Sequence, residues 1–272
     1  MLKTRVAVLR GGPSSEYDVS MHTGAGVLAS LRQLGYHVID IPVTKQGEWL
    51  VDGRVKSPEI ALQTVDVVFI AMHGAYGEDG TVQRICERLH IPFTGSNSFA
   101  SAIAFNKDVT KRSLRDEAIH LPQHIKVTKD QLPAVSEIVR AVELAFGPQY
   151  VVKPLASGSS HGVTIATTET LESILAATLA DYDTCLVEER IIGIEATCAV
   201  LADFRNTDLY VLPPVEIIPP AHTTFFSSDV KYDGSTTELC PGRFSYDEKE
   251  KIAAMATLVH QKLGLTHYSR NH

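Results

Sequence analysis

The apolar positions of this chain fall into short β-branched runs separated by longer amphipathic stretches, the pattern of strands alternating with helices. Residues 5–9 (RVAVL) predict a strand, with a tight turn, Gly11-Gly12-Pro13-Ser14-Ser15-Glu16, at its end. Residues 19–34 predict a helix, because Val27, Leu28, Leu31 and Leu34 recur at a spacing that faces one core. Gly35 closes that helix and residues 37–43 predict the next strand. Strand, Gly-rich turn, helix and strand make a βαβ unit on a parallel sheet. Residues 47–55 predict a hairpin turning at Asp52-Gly53. Residues 65–71 are a continuous apolar strand, followed by the loop MHGAYGEDG and a helix over 81–89 with Asp79 as its N-cap. A short edge strand over 91–94 and helices over 98–105 and 107–115 come next.

The second half continues the alternation. Helices are predicted over 135–146 and 171–179, on either side of two short strands, Tyr150-Val151-Val152 and Val163-Thr164-Ile165. A strand ends at Leu186-Val187, another runs from 195 to 201, and a third spans 210–217. A long loop over 219–241 leads to a helix over 248–263, with Ile252, Met255, Val259 and Leu263 on one face. His267-Tyr268-Ser269-Arg270 opens a last strand.

Composition narrows the class. A chain of 272 residues accommodates two or three lobes, and 44% hydrophobic with 21% charged residues is the balance of a globular protein. A net charge of −7 argues against general nucleic-acid binding, which needs a basic footprint. No apolar run is long enough to cross a membrane, and MLKTRVAVLRGG moves straight into a strand with no leader-like core, so a cytoplasmic protein is expected. Cys86, Cys185, Cys198 and Cys240 lack metal-ligand spacing and read as reduced, mostly buried thiols.

Three stretches carry candidate chemistry. In YVVKPLASGSSHGVTI, Lys153 ends a strand beside a Gly/Ser tip whose backbone N–H groups can approach an anion closely, which suits a polyphosphate under a loop lid. By itself such a hairpin is more often a surface turn with a snorkelling lysine. Lys107, in the first turn of its helix, opposes the helix dipole, a placement that favours a bound anion nearby. Glu16 and His73 lie at the carboxyl ends of two strands of one sheet and so face one crevice, where open α/β sheets bind ligands. In LVEERIIGIE, Glu188 and Glu195 can accept from an amine and from vicinal hydroxyls, both present in an adenosine; a solvated acidic turn is the plain alternative. GGPSSE is not G-x-G-x-x-G, which sets aside a dinucleotide fold.

Taken in order, GGPSSEYDVS, AMHGAYGEDGT, NKDVTK, VVKPLASGSSHGV, VEERIIGIE, DVKYDG and HYSR resemble the ATP-grasp enzymes and, within them, the D-alanine–D-alanine ligases. The resemblance runs over essentially the whole chain. It implies an α/β protein with a Rossmann-like parallel-sheet domain over 1–100 that binds substrate. A central ATP-grasp lobe with the phosphate hairpin would follow over 101–185, and a last, incomplete ATP-grasp lobe over 186–272. It also implies the reaction: ATP phosphorylates one D-alanine carboxylate, and the amine of a second D-alanine attacks the acyl phosphate, as in peptidoglycan precursor synthesis. By the same resemblance Lys107, Lys153 and Lys231 hold the ATP phosphates, with Ser159 and Ser160 in the lid. Glu188, Glu189, Ile191, Glu195 and Phe225 form the nucleoside pocket. Glu16 holds the first D-alanine's ammonium group with His73 beside it. Ser159 and Tyr232 are hydrogen-bonded partners of Glu16, and Arg270 stabilises the tetrahedral intermediate. Lys231-Tyr232 favours an amine over a hydroxyl nucleophile. ATP and D-alanine are the expected partners, with no nucleic acid and no membrane, in a chain compatible with a homodimer.

The departures from the family are specific. His272 stands where the family has a metal-binding aspartate, and the strand bearing a metal-binding glutamate and asparagine does not follow. Mg²⁺ (or Mn²⁺) is therefore expected of the family while its ligands are absent from this chain, and a shortened, weakly turning-over ligase is expected. Ser157 replaces an acidic lid residue of many relatives. A non-catalytic nucleotide-binding remnant and an ATP-grasp ligase for another substrate are the alternatives.

Overall fold

The computed structural model describes residues 3–220 and 235–272. The chain falls into two compact units: Met1–Phe105 with Val200–Tyr210 and His260–Ser269, and Asn106–Ala199 with Val211–Val259 and Arg270–His272.

The first unit is built on β1 (Arg5–Gly11), α1 (Tyr17–Gln33), β2 (His37–Val43), β3 (Trp49–Val51), β4 (Arg54–Lys56), α2 (Pro58–Ala61), β5 (Val67–Ile70), α3 (Thr81–Arg88) and α4 (Ser98–Phe105). Its sheet runs β4-β3-β2-β1-β5, with β1 parallel to both β2 and β5. Residues Val6, Ala7, Val8 and Leu9 of β1 form an unbroken apolar run because both faces of the strand are covered. Ala7 and Leu9 pack with Ile41, Val43, Val68, Ile70 and the fully buried Trp49, while Val8 packs with Leu28 of α1. The hairpin at Asp52-Gly53 forms as its turn residues predict.

Two expectations for this unit change. Residues 91–94 make only an isolated bridge, Val68↔Phe93, rather than a strand. The residue that caps α3 is Gly80, in the left-handed region at φ 90°, where a Cβ would lie 2.3 Å from the Ser98 carbonyl oxygen. Asp79, one residue earlier, accepts from the Thr81 and Tyr76 amides, each at 2.9 Å, and so supports the turn without being the cap.

The second unit holds α5 (Lys107–Ser113), β6 (His124–Thr128), α6 (Val135–Phe146), β7 (Gln149–Pro154), β8 (Thr164–Thr167), α7 (Leu171–Asp181) and β9 (Thr184–Glu189). Its four-stranded antiparallel sheet is ordered β6-β9-β7-β8. The period of two sorts the sheet into unlike faces. Val127, Tyr150, Val152, Cys185 and Val187 point into an apolar core with Val142 of α6 and Leu171, Leu175 and Leu179 of α7. The register puts Lys153, Glu188, His124 and Lys126 together on the other face. α5 answers that polar face. Its Asp108 is buried, bonded to Arg112 and close to His124 and Lys126, and its Lys111 reaches Glu188. β6 was not foreseen from the sequence.

The third sheet consists of β10 (Glu195–Phe204), β11 (Thr207–Val211), β12 (Val215–Ile218), β13 (Thr237–Leu239) and β14 (Tyr268–Asn271), in the order β11-β10-β12-β13 with β14 also on β10. The strand expected over 210–217 is two strands. Pro213-Pro214 offer no N–H to a ladder and split it. The loop expected over 219–241 contains β13, paired with β12. The helix expected over 248–263 is α8 (Tyr246–Lys262). Cys86, Cys185 and Cys198 are buried and Cys240 is exposed; burial pushes the Cys86 and Cys185 thiols up to about 12 and about 11.

Candidate functional site

The first unit gathers one set of expected residues at the carboxyl ends of β1 and β5. Glu16, at the start of α1, is only 6% exposed although it is a carboxylate. Its amide donates to Ser14 Oγ at 2.9 Å, and Ser14 Oγ donates to the His73 carbonyl at 2.7 Å, so the turn after β1 is pinned to the loop after β5. His73 Nε2 is 2.9 Å from Thr23 Oγ1 on α1, and its Nδ1 is 4.0 Å from Glu78. Gly74 sits at φ 71°, and a Cβ there would meet Glu16 Oε2 at 2.7 Å and Ser14 Oγ at 2.9 Å. The absence of a side chain at Gly74 is what lets Glu16 come up against this loop. Ser14 thus joins Glu16 and His73 into one hydrogen-bonded cluster. Ser14, Thr23 and Glu78, which complete its hydrogen bonding, were not singled out from the sequence.

The second unit gathers the other set. Lys153, near the end of β7, places Nζ 2.5 Å from Glu188 Oε2. Glu188, near the end of β9, is 2% exposed, and its other oxygen lies 2.9 Å from Lys111 Nζ. Lys107 Nζ donates at 2.7 Å to the carbonyl of Ser157, in the Gly/Ser loop between β7 and β8. Burial pushes the Lys107 ammonium down to about 8, with the charge of Lys153 adding to the push and Glu188 opposing it. Burial also lowers Lys111, again against Glu188. Two lysines thus hold one carboxylate and a third feels its charge, an arrangement with more positive than negative charge and therefore disposed to take an anion. Lys111 was not singled out from the sequence, although it stands four residues after Lys107 on the same helix face.

The loop itself has the backbone that such a site uses. Ser159 and Ser160 are half-buried, with φ of 48° and 57°, and Gly162 at φ 74° has no room for a Cβ beside Pro154. Consecutive residues of this kind turn successive N–H groups toward one side.

Glu188 was expected to accept from a ligand amine. Both of its oxygens instead face ammonium groups, because the polar sheet face brings Lys153 and α5 to it. Glu189 accepts from the Gln123 amide at 2.8 Å, Ile191 is exposed, and Glu195 opens β10 opposite Ile217. Arg270 is exposed on β14, next to Asn271, whose carbonyl accepts from Thr197 Oγ1 at 3.0 Å. Phe225, Lys231 and Tyr232 lie outside the described residues. Among the described residues no group of three or more His, Cys, Asp or Glu side chains stands together to hold a metal ion. Those described residues do not furnish a magnesium site of the kind the family resemblance implies.

Known proteins agree with this architecture. The family model described as the C-terminus of D-Ala–D-Ala ligase matches residues 114–271, and that of the N-terminus matches 5–61 and 53–96. The D-alanine–D-alanine ligase of Methylibium petroleiphilum is 36% identical over 98% of this chain and 79% of its own length. That of Geobacter sulfurreducens is 34% identical over 98% and 78%. Among solved structures, the D-alanine–D-alanine ligase of Bacillus anthracis superposes with a TM-score of 0.78 at 31% identity, covering 98% of this chain and 81% of its own. VanG D-Ala:D-Ser ligase from Enterococcus faecalis gives 0.83 at 27%, covering 99% and 85%. On these matches the chain belongs to the D-alanine–D-alanine ligase family.

Proposed function

We propose that this chain joins two D-alanines into D-alanyl-D-alanine at the expense of ATP, through an acyl phosphate. The observation that supports it most directly is the trio of lysines around Glu188 beside the Ser157–Gly162 loop. The substrate of such a site is a polyphosphate. Lys107 and Lys153 receive its phosphates, the Ser159-Ser160 backbone covers them, and the segment from Glu188 to Glu195 carries the nucleoside. Lys231 and Phe225 complete this set by sequence. Phosphoryl transfer needs positioning and charge neutralisation more than covalent help from the protein, and fixed ammonium groups supply both. In the other pocket, Glu16 takes the ammonium group of the first D-alanine and His73 adds a polar wall, so that its carboxylate is the group left for phosphorylation. The family resemblance assigns Ser159 and Tyr232 as partners of Glu16, and assigns Arg270 to the oxyanion formed when the second amine attacks.

The domain division proposed is 1–100 for the first amino acid, 101–185 for the phosphates and 186–272 for the nucleoside and the transition state. Among the described residues no helix is long and apolar enough to cross a membrane, and a cytoplasmic site of action is the proposal, since both substrates are small soluble metabolites.

Incubating the full chain with ATP, Mg²⁺ and D-alanine should give ADP release that requires D-alanine, with D-alanyl-D-alanine found by mass spectrometry. ADP release indifferent to D-alanine, or none while ATP still binds, would overturn the ligase reading in favour of a nucleotide-binding protein. The likeness to a D-Ala:D-Ser ligase supports a second reading at the acceptor position only. Supplying D-alanine and D-serine together and identifying the mixed dipeptide separates the two.

A further inference from the structure

Lys111 differs from its two neighbouring lysines. Its Nζ lies 2.9 Å from Glu188 Oε1 and donates to the Pro122 carbonyl at 2.8 Å, and the side chain is 11% exposed. One of its N–H groups is therefore committed to a backbone carbonyl while its charge is paired with Glu188 Oε1, which leaves it poorly placed to serve a ligand. Lys153, by contrast, touches a single oxygen of Glu188 and is twice as exposed, at 22%. Lys107 is engaged only with a loop carbonyl. The carboxylate is thus shared: one oxygen is held by the buried lysine and the other by the lysine at the strand end. A carboxylate with two free oxygens would clasp Lys153 alone, and an ammonium clasped in that way gives up less of its charge to an incoming phosphate.

We infer that Lys111 is a positioning residue of the nucleotide site, occupying half of the Glu188 carboxylate so that Lys153 stays available to a bound phosphate. The inference rests on the nucleotide reading above and deepens it. It also accounts for a lysine buried on a short helix, where burial alone disfavours its charged form. The ion pair across α5 and β9 sets the partition of charge between protein and ligand, beyond fastening the helix to the sheet.

The test is a comparison of ligands. ATP and AMP are titrated calorimetrically into the full chain and into Lys111→Met, AMP lacking the phosphates that Lys153 would meet. ATP affinity should fall about tenfold in the variant, while AMP affinity stays within about twofold. Lys111→Arg, which keeps the charge, should restore most of the loss. In a Glu188→Gln background, Lys111→Met should change ATP affinity by less than about twofold, because the carboxylate through which it acts is gone. Lys111→Gln, with the same expectation, replaces the methionine variant should that one not fold. Unchanged ATP affinity, an equal loss for AMP, or an undiminished effect in the Glu188→Gln background would each overturn the proposal. A parent chain that binds neither nucleotide would instead overturn the nucleotide site itself, and this inference with it.

Discussion

The two pockets solve opposite problems of burying polar groups. Around Glu16 the fold uses small neutral donors and acceptors, Ser14 and Thr23, together with a glycine that lets two loops close up. Around Glu188 it uses full charges, two lysines on one carboxylate with a third close enough to feel it, on the sheet face opposite the apolar core. A site with one buried carboxylate among hydroxyls and backbone would fix a small zwitterion through a single charge pair, with a weaker dependence on salt. A pocket of ammonium groups fixes charge, and its binding should fall with ionic strength and with pH. Perturbing the two should therefore have separable consequences.

The largest effect is expected from Lys153→Ala. It removes a hydrogen bond between charged groups worth about 1.5–3 kcal/mol, so ATP affinity should fall by roughly one to two orders of magnitude. D-alanine binding should be unchanged, as calorimetry with each ligand would show. Equal losses for both ligands would break the distinction between the pockets.

Gly74→Ala attacks the other side. A side chain at φ 71°, 2.7 Å from Glu16 Oε2, combines a strained backbone with a displaced carboxylate. The cost in stability should be about 1–3 kcal/mol, with D-alanine binding lost and ATP binding retained. Denaturant melts and calorimetry measure both. Retained D-alanine binding would show that Glu16 is not held by this loop.

The pH dependence sharpens the contrast at smaller amplitude. Lys107 titrates at about 8 in the ligand-free protein, below its ordinary value of 10.5. A phosphate beside it would stabilise the ammonium and raise that value, so binding takes up a proton once pH exceeds about 8. Between pH 7 and 9 ATP affinity should weaken by up to about tenfold on this account, one proton being linked over roughly one pH unit. D-alanine affinity should follow a different profile. Heats of ATP binding measured at pH 8.5 in buffers of unlike ionisation enthalpy would reveal the proton, and identical heats would remove Lys107 from the phosphate contact.

The smallest change is Thr23→Val, an isosteric loss of the hydroxyl facing His73 Nε2. One neutral hydrogen bond is worth about 1 kcal/mol, or roughly fivefold in D-alanine affinity, read against an unaltered value for ATP.

Much of this was legible in the sequence. β2, α4 and α6 lie where hydrophobic spacing puts them. Glu16 and His73 could be placed together because both follow strands of one parallel sheet. The misses have physical causes. β6, HIKVT, carries too little apolar pattern to announce itself, since one of its faces is polar and receives α5. Pro213-Pro214 did announce a break, but the apolar run around them masked it. Ser14 and Thr23 are hydroxyls whose importance exists only through a partner, His73, 59 and 50 residues away in the chain. Lys111 had a readable signal in its spacing from Lys107, yet its role depends on which face of β9 Glu188 occupies, a matter of register.

That register has a consequence for folding fidelity. Val151 lies opposite Glu188 on β7 and β9, and Lys153 follows on the same face two residues later. Were β9 to slip by one residue, Glu188 would turn inward among Tyr150, Val152 and Leu175, and Leu186 and Val187 would exchange sides. A carboxylate stranded there without a cation is far more costly than a misplaced methyl group. The ion pairs at the strand ends therefore select the native register of the sheet over its one-residue slip, whether or not a ligand is bound.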